Sequence, residues 1–252
     1  MEHLDVSEEP WGCLLTLRRP PVNALSSALM SELADALQQL AELRPTLAVL
    51  TGEGRCFSAG ADLKEAQDTA AALNARHQLG RRVQGLLRDA PYPILAAVNG
   101  PCMGAAMNIA ANCDIRVAHE SATFGIPEIK RGRAGGSASL RGLLPEGFIR
   151  WMAFTGDTLD AASARQLGLV QAVYDSASWD GEVRTLAERI SGHGAAGLYM
   201  IKEGLGKTRG ASPADAHWIE QQLSYRMWSQ GSRQQWGASG QVLPAAEQVH
   251  PA

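Results

Sequence analysis

Short apolar runs of strand length recur along the first half of the chain, each bounded by glycine, proline or another turn residue. They are Trp11–Arg18, Leu47–Thr51, Ile94–Val98 and Ile115–Ala118. Runs of this length between turn residues are typical of buried strands, and they are too short to cross a bilayer. The sequence therefore predicts a sheet of several short strands and no membrane-spanning segment.

A helical periodicity separates these apolar runs. Leucines at positions 25, 29, 33, 37 and 40 recur at spacings of four and three, which places them on one face of a helix. Ser26 or Ser27 can cap the start of this helix, and Thr158 is expected to cap a later helix that stops at Gly168. Strands that alternate with helices in this way predict stacked α/β units.

The last quarter of the chain contains helical patterns and no strand pattern. The segment Ser212–Asp215 combines a serine cap, proline at the first helical position and an acid three residues after the cap. We expect residues 1–195 to form an α/β core and residues 196–252 a helical region that covers a neighbouring subunit or the core. Residues 231–252 have few apolar anchors and are expected to fray. The apolar face of the helix after Ser212 comprises Ala216, Ile219, Leu223 and Met227.

The stretch Pro93–Asp114 is the centre of the predicted architecture. Its apolar strand is followed by the break Asn99-Gly100-Pro101 and then by small residues that open an alanine-rich helix. Small residues at a helix start let another molecule touch the backbone, and the first N–H groups there have no partner within the helix. Such a helix start can stabilise a developing oxyanion, although the same residues also permit close packing of a helix on a strand.

Composition narrows the class of protein. The chain has 252 residues, 45% of them hydrophobic and 19% charged, with a net charge of -3, which is ordinary for a globular protein and argues against a nucleic-acid partner. Its four cysteines form no CxxC pair and no Cys/His cluster, so we expect no metal site and reduced thiols in a cytoplasmic protein. The acidic, polar start, MEHLDVSEEP, is unlike a signal or transit peptide.

Three blocks carry a resemblance to a known family. They are Phe57–Lys64 (FSAGADLK), Ala96–Gly100 together with Cys113–Arg116, and Phe124–Glu128 (FGIPE). From residue 11 to residue 174 the chain resembles the crotonase, or enoyl-CoA hydratase/isomerase, superfamily. The resemblance implies a spiral of ββα units with a C-terminal helical region that assembles trimers, often paired into hexamers. It also implies an acyl-CoA thioester as substrate, with no further cofactor.

The resemblance also implies an oxyanion hole made of two backbone N–H groups, which fall on Ala61 and Ala105. An enolate oxygen needs fixed donors, and losing one such donor typically costs roughly 3–4 kcal/mol of barrier. Arg81 and Arg82 are interpreted as surface charges, and Lys130–Arg133 as a solvated loop rather than a phosphate site. The residues predicted to contact the CoA ester are Ala24, Ala59, Asp62, Lys64 and Gly104.

The chain departs from the family's hydratases at one position. The resemblance implies that these hydratases use two glutamates. One of them aligns with Glu128, whereas this chain has Asn108 at the position of the other. Asparagine can orient a water molecule but cannot accept a proton at neutral pH, and a positioned acid or base is commonly worth roughly 10²–10⁴-fold in rate. We therefore expect Glu128 to be the acid/base and Asn108 to position substrate or water.

A single glutamate favours double-bond isomerisation, as in the Δ3,Δ2-enoyl-CoA isomerases that this arrangement resembles. Hydration with Asn108 replacing one acid, and decarboxylation with C–C bond formation, remain alternatives. Two other classes also remain. The missing second acid is compatible with a non-catalytic acyl-CoA binder. Cys102 falls where the distantly related Clp-type peptidases have a nucleophilic serine, but a thiol hydrolase needs a histidine base, and none of the six histidines has a recognisable position.

Overall fold

The computed structural model describes residues 1–65 and 69–229. The chain divides into two compact units, Met1–Ala195 and Ala196–Ala252. In the part described, the first unit contains both strands and helices and the second contains helices. The strands are β1 (Leu4–Glu9), β2 (Gly12–Leu17), β3 (Ala48–Gly52), β4 (Ile94–Val98), β5 (Cys102–Met103), β6 (Ile115–His119), β7 (Thr123–Gly125), β8 (Thr158–Asp160) and β9 (Ala172–Tyr174).

Eight α-helices and two short 3₁₀-helices complete the described residues. The 3₁₀-helices span Pro127–Arg131 and Ala138–Leu140. The α-helices are α1 (Ser27–Leu43), α2 (Ala70–Asp89), α3 (Ala105–Ala111), α4 (Glu146–Thr155), α5 (Ala161–Gln166), α6 (Trp179–Ser191), α7 (Ala195–Lys207) and α8 (Pro213–Ser229).

A six-stranded sheet in the order β1-β2-β3-β4-β6-β9 forms the centre of the first unit. β1 and β2 pair as an antiparallel hairpin, and the remaining pairs are parallel. All five residues of β4 are buried, as expected for a strand covered on both faces. The apolar core on one side of this sheet comprises Trp11, Leu47, Val49, Leu95, Ala97, Val117, Leu186 and Ala187.

A second, three-stranded sheet in the order β5-β7-β8 positions two functional segments. β5 and β7 are parallel, with Cys102 opposite Phe124 and Met103 opposite Gly125. β5 leads directly into α3, and β7 leads into the 3₁₀-helix that carries Glu128. Parallel neighbours have their carboxyl ends at the same edge of the sheet. The start of α3 and the residue Glu128 therefore lie side by side.

Most of the predicted elements are confirmed, with three corrections. Ser26 caps α1, because its side chain accepts from the Leu29 N–H at 3.2 Å, whereas Leu25 lies before the helix and bridges Ala61. Thr158 is not a cap but the first residue of β8, and Asp160 caps α5 by accepting from the Ser163 N–H at 2.7 Å. The acidic first residues form an edge strand, β1, which their polar composition concealed.

The second unit contains most of α7 and all of the described α8. The predicted helix start is confirmed, since Ser212 Oγ accepts from the Asp215 N–H at 3.2 Å. In α8 Leu223 is buried and residues 216, 219 and 227 are half-buried, while Trp218 is 61% exposed. The predicted fraying of residues 231–252 lies outside the described residues, and the role of this unit in oligomerisation stays a prediction. No helix within residues 1–65 and 69–229 has the length and apolar character needed to cross a membrane.

Candidate active site

Buried polar side chains hold the turn that follows β3. The Asn23 amide donates to the carbonyls of Cys56 at 2.7 Å and Glu53 at 3.0 Å. Ser58 Oγ donates to Asn23 O at 2.6 Å and accepts from the Gly60 N–H at 3.1 Å. Asn23 and Ser58 are both nearly inaccessible to solvent. Because each satisfies backbone groups of the turn, these two side chains fix its shape rather than contact a ligand.

The turn after β3 lies directly against the turn between β5 and α3. Gly60 has φ of +85°, and a Cβ there would lie 2.3 Å from Met103 O and 3.3 Å from Ala105 N, so only glycine fits. Gly60 O accepts from the Leu25 N–H, and the Asp62 N–H donates to Leu25 O. Because residues 60 and 62 both bond to Leu25, the N–H group of Ala61 between them points to the opposite side, away from Leu25.

Ala61 and Ala105 both line a cavity of about 400 Å³ in the first unit. The described residues provide no hydrogen-bond acceptor for either N–H group. Ala105 is the first residue of α3, where an N–H has no partner within the helix. Two backbone donors from adjacent turns are thus available to one bound group, which is an arrangement able to stabilise an oxyanion.

The Glu128 carboxylate lies in the same cavity, between two glycines. A Cβ on Gly104 would lie 2.8 Å from Glu128 Oε1, and one on Gly136 would lie 3.2 Å from it. Glu128 Oε2 is buried and has no hydrogen-bond partner among the described residues. Burial raises the pKa of this carboxyl, although its own backbone N–H and the charge of Arg131 act in the opposite direction. An unpartnered carboxyl with a raised pKa is suited to transferring a proton.

Asn108 is one turn along α3 from Ala105 and also lines the cavity. Its side-chain amide has no hydrogen-bond partner in the part of the chain that the structure describes, whereas its backbone carbonyl accepts from Asn112. Asn108 therefore offers a free donor and acceptor beside the Glu128 carboxylate.

The structure brings six of the nine predicted site residues to the cavity wall and places the other three elsewhere. Asp62 is buried, forms a 2.7 Å ion pair with Arg19 and accepts from the Lys64 N–H at 2.9 Å. This N–H and Arg19 lower the pKa of the Asp62 carboxyl, so its role is to hold the turn. Ala24 O accepts from Arg19, and Lys64 is exposed outside the wall. The six residues in the wall are Ala59, Ala61, Gly104, Ala105, Asn108 and Glu128.

Sequence reasoning missed a group of basic residues in the cavity wall. α2 contributes Arg76, His77 and Arg81, and the loop after Glu128 contributes Arg131 and Arg133. The interpretation of Arg81 and of Lys130–Arg133 as solvent-facing charges did not anticipate that these two segments face one cavity. The spacing of Arg76, Gly80 and Gln84 by four residues along α2 was the available sign of a shared helix face.

The alternative nucleophile Cys102 has the wrong surroundings. Its side chain is fully buried, and burial raises the pKa of the thiol well above its ordinary value. The histidines within residues 1–65 and 69–229 make no hydrogen bond to it. The structure therefore argues against a thiolate nucleophile at this position. In the same described residues no group of three His, Cys, Asp or Glu side chains is placed to hold a metal ion.

A second cavity, of about 590 Å³, lies beside α4 and is lined by Phe148, Trp151 and Leu159. The carboxylate in its wall belongs to Asp160, which already caps α5. That carboxylate therefore already accepts a hydrogen bond, unlike Glu128 Oε2.

The fold and the Glu128 cavity together have the features of an enzyme active site. A largely parallel α/β scaffold presents turns that expose two N–H groups in the same cavity as one carboxylic acid. The sequence pattern of the family described as enoyl-CoA hydratase/isomerase matches residues 12–242. The chain belongs to this family, and its fold is the crotonase fold, as the sequence blocks predicted.

Comparison with individual proteins supports the same family assignment. The chain is 36% identical over 201 residues to the (7aS)-7a-methyl-1,5-dioxo-2,3,5,6,7,7a-hexahydro-1H-indene-carboxyl-CoA hydrolase of Mycobacterium tuberculosis, covering 78% of this chain and 81% of that protein. It is 38% identical over 213 residues to the 2,3-dehydroadipyl-CoA hydratase of Escherichia coli, covering 81% and 82%. The crystal structure of the enoyl-CoA hydratase from Bacillus anthracis matches with a TM-score of 0.86 at 26% identity, covering 92% and 93%.

Proposed function

We propose that this enzyme binds an acyl-CoA thioester and isomerises a double bond in its acyl chain. The thioester oxygen accepts hydrogen bonds from the N–H groups of Ala61 and Ala105 as an enolate forms. Glu128 is the single acid/base, and no cofactor is needed beyond the CoA of the substrate. The observation that carries the proposal is the Glu128 carboxylate, whose Oε2 is buried without a hydrogen-bond partner among the described residues, in a cavity that contains two free N–H donors.

Isomerisation requires one group that removes a proton from C2 of a 3-enoyl thioester and returns it to C4. Glu128 is able to do both because its raised pKa brings the acid and carboxylate forms closer in free energy near neutral pH. Asn108 cannot accept a proton. Glu128 is thus the one carboxylic acid among the described residues of the cavity wall, and a single carboxylic acid suits a reaction whose proton leaves and returns on the same residue.

Addition of water is the second candidate, because the Asn108 amide is free and lies in the same cavity as Glu128. An amide that donates and accepts can hold a water molecule for attack, with Glu128 moving the proton. The names of the relatives favour this candidate, since the M. tuberculosis protein is named a hydrolase and the E. coli protein a hydratase. Decarboxylation needs the same oxyanion donors, but no feature of the cavity favours it over the other two.

Product analysis with a panel of CoA thioesters tests these candidates. The panel contains a 3-enoyl, a 2-enoyl, a malonyl-type and a cyclic dione thioester, each incubated with the enzyme in D₂O. We expect the 3-enoyl ester to give the 2-enoyl ester faster than any other conversion. A faster gain of water by the 2-enoyl or dione ester would instead establish the second candidate.

A saturated acyl-CoA in the same D₂O experiment tests for catalysis of any kind. Exchange of its α-proton needs both the oxyanion donors and a base, so exchange is expected. Exchange would exclude a non-catalytic acyl-CoA binder, whereas binding without exchange and without conversion of any ester of the panel would establish one.

A further inference from the structure

The wall of the Glu128 cavity carries an excess of positive charge. Four arginines line it, and Glu128 is the only carboxylate among the described lining residues. The chain as a whole has a net charge of -3, so this excess is local rather than general. A cavity lined by one sign of charge attracts ligands of the opposite sign. The four arginines are Arg76, Arg81, Arg131 and Arg133.

Three of these arginines are available to a ligand. Arg76 is occupied by Glu65 at 3.3 Å and by the carbonyls of Asp62 and Leu25 at 2.9 and 3.0 Å. The described residues give the side chains of Arg81, Arg131 and Arg133 no ion pair and no hydrogen bond. Arginine presents several donors in a planar fork that matches a carboxylate. These three guanidinium groups therefore give the cavity wall a positively charged surface whose donors are free to bind an anion.

The position of this surface relates it to the acyl group rather than to the nucleotide of CoA. Arg131 and Arg133 are three and five residues beyond Glu128, and Arg131 acts electrostatically on that carboxylate. If Glu128 transfers protons at the acyl carbons, its own segment must flank the acyl chain. Arg81 faces the same space from α2, one turn from Gln84, which also lines the cavity.

We propose that the acyl group of the substrate ends in a carboxylate, which Arg81, Arg131 and Arg133 bind. The substrate class is then the CoA monothioesters of dicarboxylic acids. This inference rests on the proposed function in that an acyl-CoA thioester occupies the Glu128 cavity, but it does not depend on which bond changes afterwards.

Binding of two matched, unreactive thioesters tests the inference without turnover. Hexanoyl-CoA and adipoyl-CoA have the same number of acyl carbons and differ in the terminal carboxylate. Calorimetry with the wild-type enzyme should show tighter binding of adipoyl-CoA. Because the three arginines are exposed, we expect each of R81Q, R131Q and R133Q to weaken adipoyl-CoA binding about 5-fold. Hexanoyl-CoA binding should change little.

Arg82 provides the matched control. It neighbours Arg81 on the same helix but contacts Gln38 at 2.8 Å and Asp35 at 3.5 Å, outside the cavity wall. The R82Q variant should therefore bind both esters as the wild type does. The preference for adipoyl-CoA should also decrease as salt screens the exposed charges.

Other outcomes would overturn the inference. Equal binding of the two esters by the wild type would show that no terminal carboxylate is recognised. An equal loss for both esters and for free CoA in R81Q, R131Q and R133Q would assign the arginines to the phosphates of CoA. If neither ester bound, the proposed function would fail as well, whereas binding of hexanoyl-CoA alone would overturn only the present inference.

Discussion

Replacing Glu128 by glutamine should abolish turnover and stabilise the folded protein at the same time. The two side chains have nearly the same shape, so the substitution removes the charge and the titratable proton of the carboxyl group and changes little else. Loss of a positioned acid/base should lower the rate roughly 10²–10⁴-fold, which corresponds to about 3–5 kcal/mol of barrier. Acyl-CoA binding should persist because Ala61 and Ala105 keep their N–H groups.

The stability effect follows from the unpartnered Glu128 Oε2. A buried polar atom without a partner costs about 1–3 kcal/mol, and more when it is charged; glutamine leaves an unpartnered polar atom at this place but removes the charge. Because Glu128 is only half-buried, we expect a gain from E128Q on the order of 1 kcal/mol, which would raise the melting temperature by roughly 2–4 °C in a chain of this size.

The gain should depend on pH with a definite sign. Burial raises the pKa of the folded Glu128 above its unfolded value, which is about 4.3. The folded state therefore holds this proton more tightly, and the associated stability is present below the unfolded pKa and is lost as pH rises through the folded pKa. Glutamine does not titrate, so the advantage of E128Q should appear above that range and disappear below about pH 4.

Thermal unfolding at several pH values, together with product assays, measures both effects. E120Q is a suitable control, because Glu120 is exposed, accepts from Ser176 at 2.6 Å and has a lowered pKa. That variant should keep full turnover and gain no stability. Unchanged turnover in E128Q would refute the role of Glu128, and an E128Q protein less stable than the wild type at neutral pH would refute the cost assigned to its carboxylate.

Three further predictions concern the same site and the assembly. G104A should lose at least about 10-fold in turnover and roughly 1–3 kcal/mol in unfolding free energy, because φ is +54° and the new Cβ would meet Glu128 Oε1; wild-type kinetics would contradict this. N108D adds a proton acceptor, so hydration of a 2-enoyl ester should increase by at least about 10-fold, measured by loss of enoyl absorbance. Light scattering should give three or six times 26.9 kDa, since Trp218, Tyr225 and Trp228 are exposed in the single chain; a monomer would refute trimerisation.

Much of the fold was predictable because local patterns and buried strands coincide. The leucine spacing in α1 corresponds to buried positions at 29, 33, 37 and 40, and β4 is apolar throughout because both of its faces are covered. β1 was not predicted because an edge strand keeps one side in solvent and tolerates acidic residues. Thr158 was assigned as a cap because threonine and aspartate both suit that position, and only the chain path distinguishes Thr158 from Asp160.

The candidate site was only partly predictable because motif residues serve two different purposes. Ser58 and Asp62 are polar residues of a recognisable block, yet each is committed to holding a turn. Backbone donors leave no side-chain mark, so Ala61 and Ala105 were found through family resemblance rather than through their own chemistry.

The arginines of the cavity wall could not be predicted from the sequence for a different reason. Arg81 and Arg131 are 50 residues apart in sequence, and each alone looks like a solvated surface charge. Their shared cavity arises from the packing of α2 and of the Glu128 segment around α3, which no local pattern encodes. Charged residues that each look solvated in the sequence can therefore line one cavity when the fold brings separate segments together.

The glycines around Glu128 explain how the fold leaves one oxygen of a half-buried carboxylate without a partner. Gly104 and Gly136 both have positive φ, and a Cβ on either would lie within 3.2 Å of Glu128 Oε1. Because neither glycine has a side chain, the carboxylate approaches two backbones closely while Oε2 stays free of protein donors. A polar side chain at either position would offer a hydrogen bond and lower the pKa of Glu128. We propose that the absence of side chains at 104 and 136 preserves the acid for substrate; the unpaired Oε2 that would serve proton transfer is for the same reason costly to the fold.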